Sequence, residues 1–296
     1  MNFRGNSFRS PSKVISMAAP AKINLYLNII GKLNETYHEL DSLVGFATYG
    51  DKVFVRDCED FRLEISGPFS QMLPPEKNNL VIKAAKELAR ETNYARGAYI
   101  KLVKNLPISS GIGGGSADAA ATLKALNRLW GIKLKKEDLM TVGLKLGSDV
   151  PVCVKGKPAR IGGRGEKIFS FEGFPKCGIL LVNPRVPIPT IDVFKTFQGK
   201  YSNYVEIPKI NDIEALIEFL STQKNDLQET SVKIAPVLQV ILNILSDEPN
   251  CRLARVSGSG ATCFGIFNDE HSAALSARAI SSRFKEWWLK PTQLSN

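Results

Sequence analysis

Apolar and polar positions alternate over residues 22–30, KINLYLNII: Ile23, Leu25, Leu27 and Ile29 fall on one face, and Lys22, Asn24, Tyr26 and Asn28 on the other. A period of two is that of a β-strand, here with one buried and one polar face. GKLNETYHEL follows as a loop, DKVFVRD and FRLEISG read as a strand pair, and NLVIKAAKELARETN as an amphipathic helix. AYIKLVKNL is another strand, ended by Pro107. SSGIGGGS then opens a helix whose apolar residues Ala119, Leu123, Leu126 and Trp130 share one face, with Gly131 as its stop. KKEDLMTVGLKL is a further helix ending at Gly147; GSDVPVCV and ARIGGRGEKIF read as a turn and a strand region.

The second half opens with the apolar strand GILLVNP, and VPIPTIDVF, stiffened by proline, reads as a positioned loop or short helix. Helices are predicted near 212–221 and 230–245, strand–turn–strand for LARVSGSGATCFGIF, and a last helix over 270–287. Strands and helices mix without strict alternation, which favours an α+β fold in two domains over a doubly wound sheet. The expected division is 1–16 as a flexible tail, 17–173 as the first domain and 174–296 as the second.

Composition narrows the class of function. Of 296 residues, 44% are hydrophobic and 23% charged, ordinary for a globular chain. Lys plus Arg outnumber Asp plus Glu by 39 to 29, a net charge of +10, which favours anionic partners: phosphates, nucleotides, nucleic acid or an acidic surface. Five cysteines with no CxxC spacing read as free thiols in a reducing compartment, so a cytoplasmic location is expected. Only two histidines, His38 and His271, argue against a His-built metal site. No apolar run is long enough for a membrane helix, and the N-terminus lacks the apolar core of a secretory signal. That segment is rich in Arg and Ser in the manner of a transit peptide, but a disordered tail is the plainer reading. Met17, just before the first strand, is an alternative start.

The strongest chemical signal is PISSGIGGGSADAA, Pro107 to Ala120. Dense glycine between a strand and a helix N-terminus lets backbone N–H groups converge on an anion, most naturally a polyphosphate. The lysine of a Walker A loop is absent, the GxGxxG spacing is broken, and no protein-kinase motifs follow. Gly114 is the expected point of close phosphate approach, with a positive φ. Asp149, in GSDVP, is either an N-cap or a carboxylate able to accept a hydroxyl proton. Lys22 is either a solvated strand lysine or part of a site, and Ser257-Gly258-Ser259-Gly260 either a hairpin turn or a second wall for the phosphates. His38, in a polar loop, reads by itself as a satisfied surface residue.

Together, the PAKINL strand, the PxxxGxGGGSxDAA loop and the late SGSGAT turn resemble the three motifs of the GHMP small-molecule kinases, from about Pro20 to Phe267. YHEL, GSDVP, ARIGGRGE and IPTIDVF narrow the likeness to a branch acting on a cytidine-diphosphate-linked polyol. The resemblance implies a ribosomal-S5-like N-terminal domain, a ferredoxin-like C-terminal domain and an active site in the cleft between them. It implies ATP as phosphoryl donor, Mg²⁺ with it, and 4-diphosphocytidyl-2-C-methyl-D-erythritol as the small-molecule acceptor, phosphorylated on its 2-hydroxyl in the non-mevalonate isoprenoid route. It makes Lys22 and Asp149 the catalytic pair. The ATP loop would be Pro107, Ile108, Ser109, Ser110, Gly111, Ile112, Gly113, Gly114, Gly115, Ser116 and Ala117. Asn24, Tyr37, His38, Thr190 and Phe194 would bind the acceptor, with Tyr37 and Phe194 on opposite faces of the cytosine. The metal ligands are left unassigned. Ser148 stands where many members carry Ala, and Ser109-Ser110 replace glycine in the loop approach; neither change removes a functional group.

Two rivals remain at this level. One is another kinase of the same superfamily, for homoserine, mevalonate or a sugar, which would need no aromatic groups for a base. The other is a nucleic-acid binder, suggested by the basic balance and by Lys133, Lys135 and Lys136; scattered cations and the lack of a recognition motif speak against it. Neither nucleic acid nor membrane is an expected partner.

Overall fold

A computed structural model describes residues 13–34, 37–73 and 79–295. The first twelve residues of the expected tail lie outside these. The chain opens with β1 (Ile15–Lys32), so the strand begins two residues inside that tail, where Ile15 pairs with Val55 and is buried. Its antiparallel partner is the long β2 (His38–Cys58), followed by β3 (Arg62–Ser66), helix α1 (Leu80–Glu91) and β4 (Gly97–Val103). The loop expected to run to Leu40 ends earlier, since His38 already belongs to β2. The 51–57 and 61–67 segments are not direct partners: β4 lies between them, antiparallel to β2 and parallel to β3.

Glycine loop and helix follow as read. Helix α2 (Gly114–Trp130) buries Ala119, Leu123 and Leu126 and ends at Gly131, whose φ of 67° suits a residue with no Cβ. Next come α3 (Lys136–Leu144) and α4 (Val150–Lys155), the latter a helix where a turn was expected. Proline in its first turn is compatible with helix, because the first N–H groups have no intrahelical acceptor. β5 (Ala159–Gly163), paired with β2, and β6 (Lys167–Ser170) complete this half. Its core packs α1, α2 and α4 against the sheet through residues such as Phe46, Leu88, Ile100 and Leu123.

The other half contains β7 (Gly178–Asn183), α5 (Thr190–Thr196), α6 (Ile213–Ser221), α7 (Gln228–Ile234), α8 (Val237–Asp247), β8 (Cys251–Val256), β9 (Cys263–Phe267), α9 (Glu270–Arg283) and β10 (Trp288–Ser295). The single helix expected over 230–245 is two. Pro236 forces Ala235 out of helical geometry, to φ −133° and ψ 87°. The last helix stops at Arg283, and β10 was not foreseen because its lone proline masks a strand. Pro291 is tolerated because that stretch of β10 pairs only with β7, leaving its other edge free of a ladder. The end of β10 crosses to pair Leu294 and Ser295 with Ala47 and Phe46 of β2. One sheet therefore runs β3-β4-β2-β10-β7-β9-β8 through both halves. The α+β expectation holds.

The greatest departure from the sequence pattern is in β1. Both of its faces are covered from Ala21 to Ile29, so the polar face is not solvent-facing: Lys22, Asn24 and Asn28 are buried. Register shifts in the β1–β2 ladder at Pro20/Lys22 and Asn24/Tyr26 bracket Lys22 and Asn24. Bulges of this kind re-aim side chains beside active sites.

Candidate active site

A cleft of about 410 Å³ opens where the glycine loop, β1, α4 and the 257–260 turn meet. Lys22, Asn24, Pro107, Ile108, Ser109, Ser110, Gly111, Gly113, Gly114, Gly115, Ser116, Asp149, Thr190 and Phe194 all line it. Ile112 and Ala117 do not; both are packed into the core beneath the loop. Tyr37 and His38 lie outside the lining, with Tyr37 exposed at the surface and His38 half-buried.

Asp149 occupies the N-cap position of α4, yet its side chain makes no capping bond. Lys22 Nζ instead donates to its Oδ2 at 2.7 Å across 127 positions of sequence. Lys22 is 4% exposed and would be costly to bury without that partner, whereas the Asp149 side chain keeps 35% of its surface open. A carboxylate held by a buried lysine and open to the cleft suits proton acceptance; the capping role is not the one the geometry serves. Burial, with the Asp149 charge behind it, pushes the neighbouring Cys153 thiol up to about 12, which keeps it out of the chemistry.

The loop is held by its surroundings. Gly113 caps α2 with φ 63°, and the first helical bond runs from Ala117 N to Gly113 O at 2.8 Å. The N–H groups of Gly114, Gly115 and Ser116 therefore have no acceptor within their own helix and sit at its positive end. Gly111, at φ 72°, packs so tightly on the 257–260 turn that a Cβ there would lie 2.3 Å from the Ser257 carbonyl oxygen. Ser257 Oγ donates to Gly111 O at 3.0 Å, and Thr262 N to Ser110 O at 3.0 Å. The late serine-glycine turn is thus both a hairpin, since β8 pairs with β9, and a wall of the cleft.

Gly114 does not have the backbone expected of it. It lacks a positive φ, and its Cβ would meet the Lys104 ammonium at 3.1 Å inside the protein; a Cβ at Gly115 would meet nothing within 4 Å. Gly115 therefore has the more open surroundings of the two.

Lys104 also lines the cleft and was not singled out, because a lysine in IKLVKNL looks like any strand-end lysine. It is buried between Asp51, at 2.5 Å, and Asp118, at 2.8 Å. Asp51 Oδ1 also accepts the N–H groups of Asn105 and Leu106. The triad therefore bolts down both ends of the loop, on β4's exit and on α2. Burial pushes the Asp118 carboxyl up to about 7, Lys104 opposing the shift and Asp51 adding to it. Arg164 of GRGE is a second lining residue not foreseen; its guanidinium sits 4.8 Å from the Tyr37 ring centroid.

On the opposite wall, Thr190 shares a 2.9 Å hydrogen bond with Ser259 at the start of α5. The Phe194 ring stacks on His38 at 5.7 Å and 27°. Tyr37 and Phe194 share no ring contact among the described residues; each has one face covered, by Arg164 and by His38 respectively. Two buried polar atoms here lack protein partners, Asn24 Oδ1 and His38 Nδ1. Burial lowers the His38 pKa, leaving its imidazole neutral more readily.

A glycine-loop cleft with a lysine–aspartate pair between two α+β halves defines a small-molecule kinase of the GHMP type. The family model for the GHMP kinases N terminal domain matches residues 79–157, and that for GHMP kinases C terminal matches 205–286. A protein of Paramagnetospirillum magneticum named 4-diphosphocytidyl-2-C-methyl-D-erythritol kinase is 43% identical over 281 residues, 94% of this chain and 98% of its own. The crystal structure of a 4-(cytidine 5'-diphospho)-2C-methyl-D-erythritol kinase superposes with a TM-score of 0.78 at 25% identity, covering 95% of this chain and all of that one. Homoserine kinase from Cytophaga hutchinsonii shares the fold at a TM-score of 0.70 and 17% identity, over 98% of both chains. The chain belongs to the 4-diphosphocytidyl-2-C-methyl-D-erythritol kinase family of the GHMP kinases.

Proposed function

We propose that this chain transfers the γ-phosphoryl group of ATP to the 2-hydroxyl of 4-diphosphocytidyl-2-C-methyl-D-erythritol, giving the 2-phosphate and ADP, in the non-mevalonate route to isoprenoid precursors. The observation that carries the chemistry is the uncapped Asp149 carboxylate, held 2.7 Å from Lys22 in a cleft walled by the glycine loop. The choice of acceptor rests on the family match.

Each residue then has a task. The 2-hydroxyl oxygen forms the new bond to phosphorus, its proton passes to Asp149, and the bond to the ADP oxygen breaks. Lys22 holds Asp149 in place and offsets charge on the transferring group. The N–H groups at the start of α2 and the Gly115 approach cradle the phosphates. Asn24 Oδ1 and His38 Nδ1 are free to meet the acceptor's hydroxyls and base edge; Thr190 and Phe194 form the wall, and Tyr37 closes the base from the rim.

Mg²⁺ fits this site in the manner it usually binds nucleotides. Among the described residues no three acidic, histidine or cysteine side chains gather as a cage. An ion shared with phosphate oxygens needs only one or two protein oxygens, and the Ser116 hydroxyl lines the cleft at α2's first turn. When bound, it neutralises phosphate charge.

Residues 17–173 and 174–296 are taken as the two domains, with β10 reaching back across the division. Five free cysteines suit a reducing compartment and support a cytoplasmic location. ATP consumption across a panel of alcohols tests the reading: turnover with the cytidyl acceptor and little with homoserine, mevalonate or galactose is expected. Faster turnover of any of those three would replace it.

A further inference from the structure

Past α5 the chain runs from residue 197 to 212 with neither helix nor strand, then enters α6. Main-chain and side-chain groups from both halves fasten this strap. Ser202 N donates to Ile29 O at 2.8 Å, and its hydroxyl to Asp226 at 3.1 Å. Val205 N donates to Asp41 Oδ2 at 3.2 Å. The Arg160 guanidinium lies 3.5 Å from the centroid of the Tyr204 ring. Arg160 in turn grips Asp41 through two bonds of 2.7 Å, and Tyr26 OH donates to the same carboxylate at 3.1 Å. Asp41 is 1% exposed and both of its oxygens are occupied, so the Arg160–Asp41 pair is a rigid post to which the strap is tied.

The post stands close to the acceptor wall without belonging to it. Asp41 is three positions after His38 on β2, and neither Asp41 nor Arg160 lines the cleft. At the near end of the strap, Phe197 meets the His38 ring edge-on at 5.8 Å, just beyond Phe194. Helix α5 is fixed at its start by Thr190 and Ser259 and along its inner face by buried Val193. Its far end leads directly into the strap.

We propose that Arg160 and Asp41 are positioning residues for the acceptor: their ion pair pins the 197–212 strap and so holds α5, with Phe194, against the His38 end of β2. This inference rests on the reading given under Proposed function. It assigns to a pair outside the cleft an effect confined to one of the two substrates. The donor wall is fastened separately, by the Lys104 triad and the 257–262 turn, and is indifferent to the strap.

Steady-state kinetics on Arg160→Lys and Tyr204→Ala, with KM for ATP and for the acceptor measured separately, tests this. Lys at 160 keeps the charge but loses the two-pronged bond and the stacking. Tyr204 is 61% exposed, so its removal spares the core and decides the matter if Arg160→Lys does not fold. Acceptor KM is expected to rise about 3- to 30-fold, with ATP KM and kcat within about twofold of wild type. Unchanged acceptor KM in the folded variants, or both KM values rising together, overturns the proposal. If wild type prefers another alcohol, the reading of the acceptor fails; the variant-to-wild-type ratio for that alcohol still tests the positioning role.

Discussion

On the donor wall, the glycine loop is bolted at both ends by a buried lysine between two aspartates and tied at Ser110 and Gly111 to the 257–262 turn. On the acceptor wall, a seven-residue helix rests on one hydrogen bond, buried Val193, an aromatic stack and a strap tied by main-chain and side-chain bonds to distant parts of the chain. On the proposed function, the difference follows from what each wall must bind. Phosphates of any nucleotide ask for the same thing, converging N–H groups that do not move, and main chain supplies this best. An acceptor must be told apart from other alcohols, and that discrimination falls to side chains. Lys22 and Asp149 stand between the walls and serve both.

The comparison breaks first at its centre. Asp149→Asn should lower kcat by about 10²–10⁴ while ATP and acceptor still bind, with a lower melting temperature because buried Lys22 loses its counter-charge. A variant that keeps most of its turnover would remove Asp149 from the chemistry and leave it only as the counter-charge of Lys22.

The rigidity of the donor wall is tested by two glycines. Gly111→Ala must strain a φ of 72° and push on the Ser257 carbonyl, so it should cost about 1–3 kcal/mol of stability and weaken ATP binding. Gly115→Ala has open space for its methyl group and should raise ATP KM with stability unchanged. Equal melting temperatures for the two variants would mean that the loop is not welded to the turn.

The acceptor wall is tested by Phe194→Ala. Loss of one stacking face is worth about 1–3 kcal/mol, so acceptor KM should rise about 5- to 150-fold with ATP KM unmoved. A stable variant with unchanged acceptor KM would remove Phe194 from the site.

A further test concerns pH. Asp118 is held up to about 7, above its unfolded value of about 3.9, so the native state binds more protons between the two. Its contribution to stability is full below about pH 4 and is lost as pH rises through about 7, by no more than about 1.4 kcal/mol per pH unit. Melting curves of wild type and Asp118→Asn across that range should therefore diverge, wild type losing ground as pH rises. Parallel curves would show that burial does not hold the proton on Asp118.

What could be read from the sequence divides along the same line. The loop, its helix and the Gly131 stop were legible because local backbone chemistry dictates them. So was the strand carrying Lys22, though not the burial of its polar face, since alternation reports a face's polarity and not what covers it. Lys104 was invisible because its partners are 53 and 14 positions away, and Arg160 because Asp41 is 119 away. β10, which ties the two halves into one sheet, was hidden by Pro291 and by its dependence on partners from both. The Asp149 pair could be placed by family resemblance but not by spacing, since 127 positions separate it from Lys22.

The most direct test of the account is the product itself. Wild-type protein, ATP, Mg²⁺ and 4-diphosphocytidyl-2-C-methyl-D-erythritol, followed by ³¹P NMR, should yield ADP in step with a single new phosphomonoester on the 2-oxygen, the acceptor's diphosphate signals persisting. ADP formed without acceptor, or a phosphate appearing on the ribose or at another hydroxyl, would contradict it.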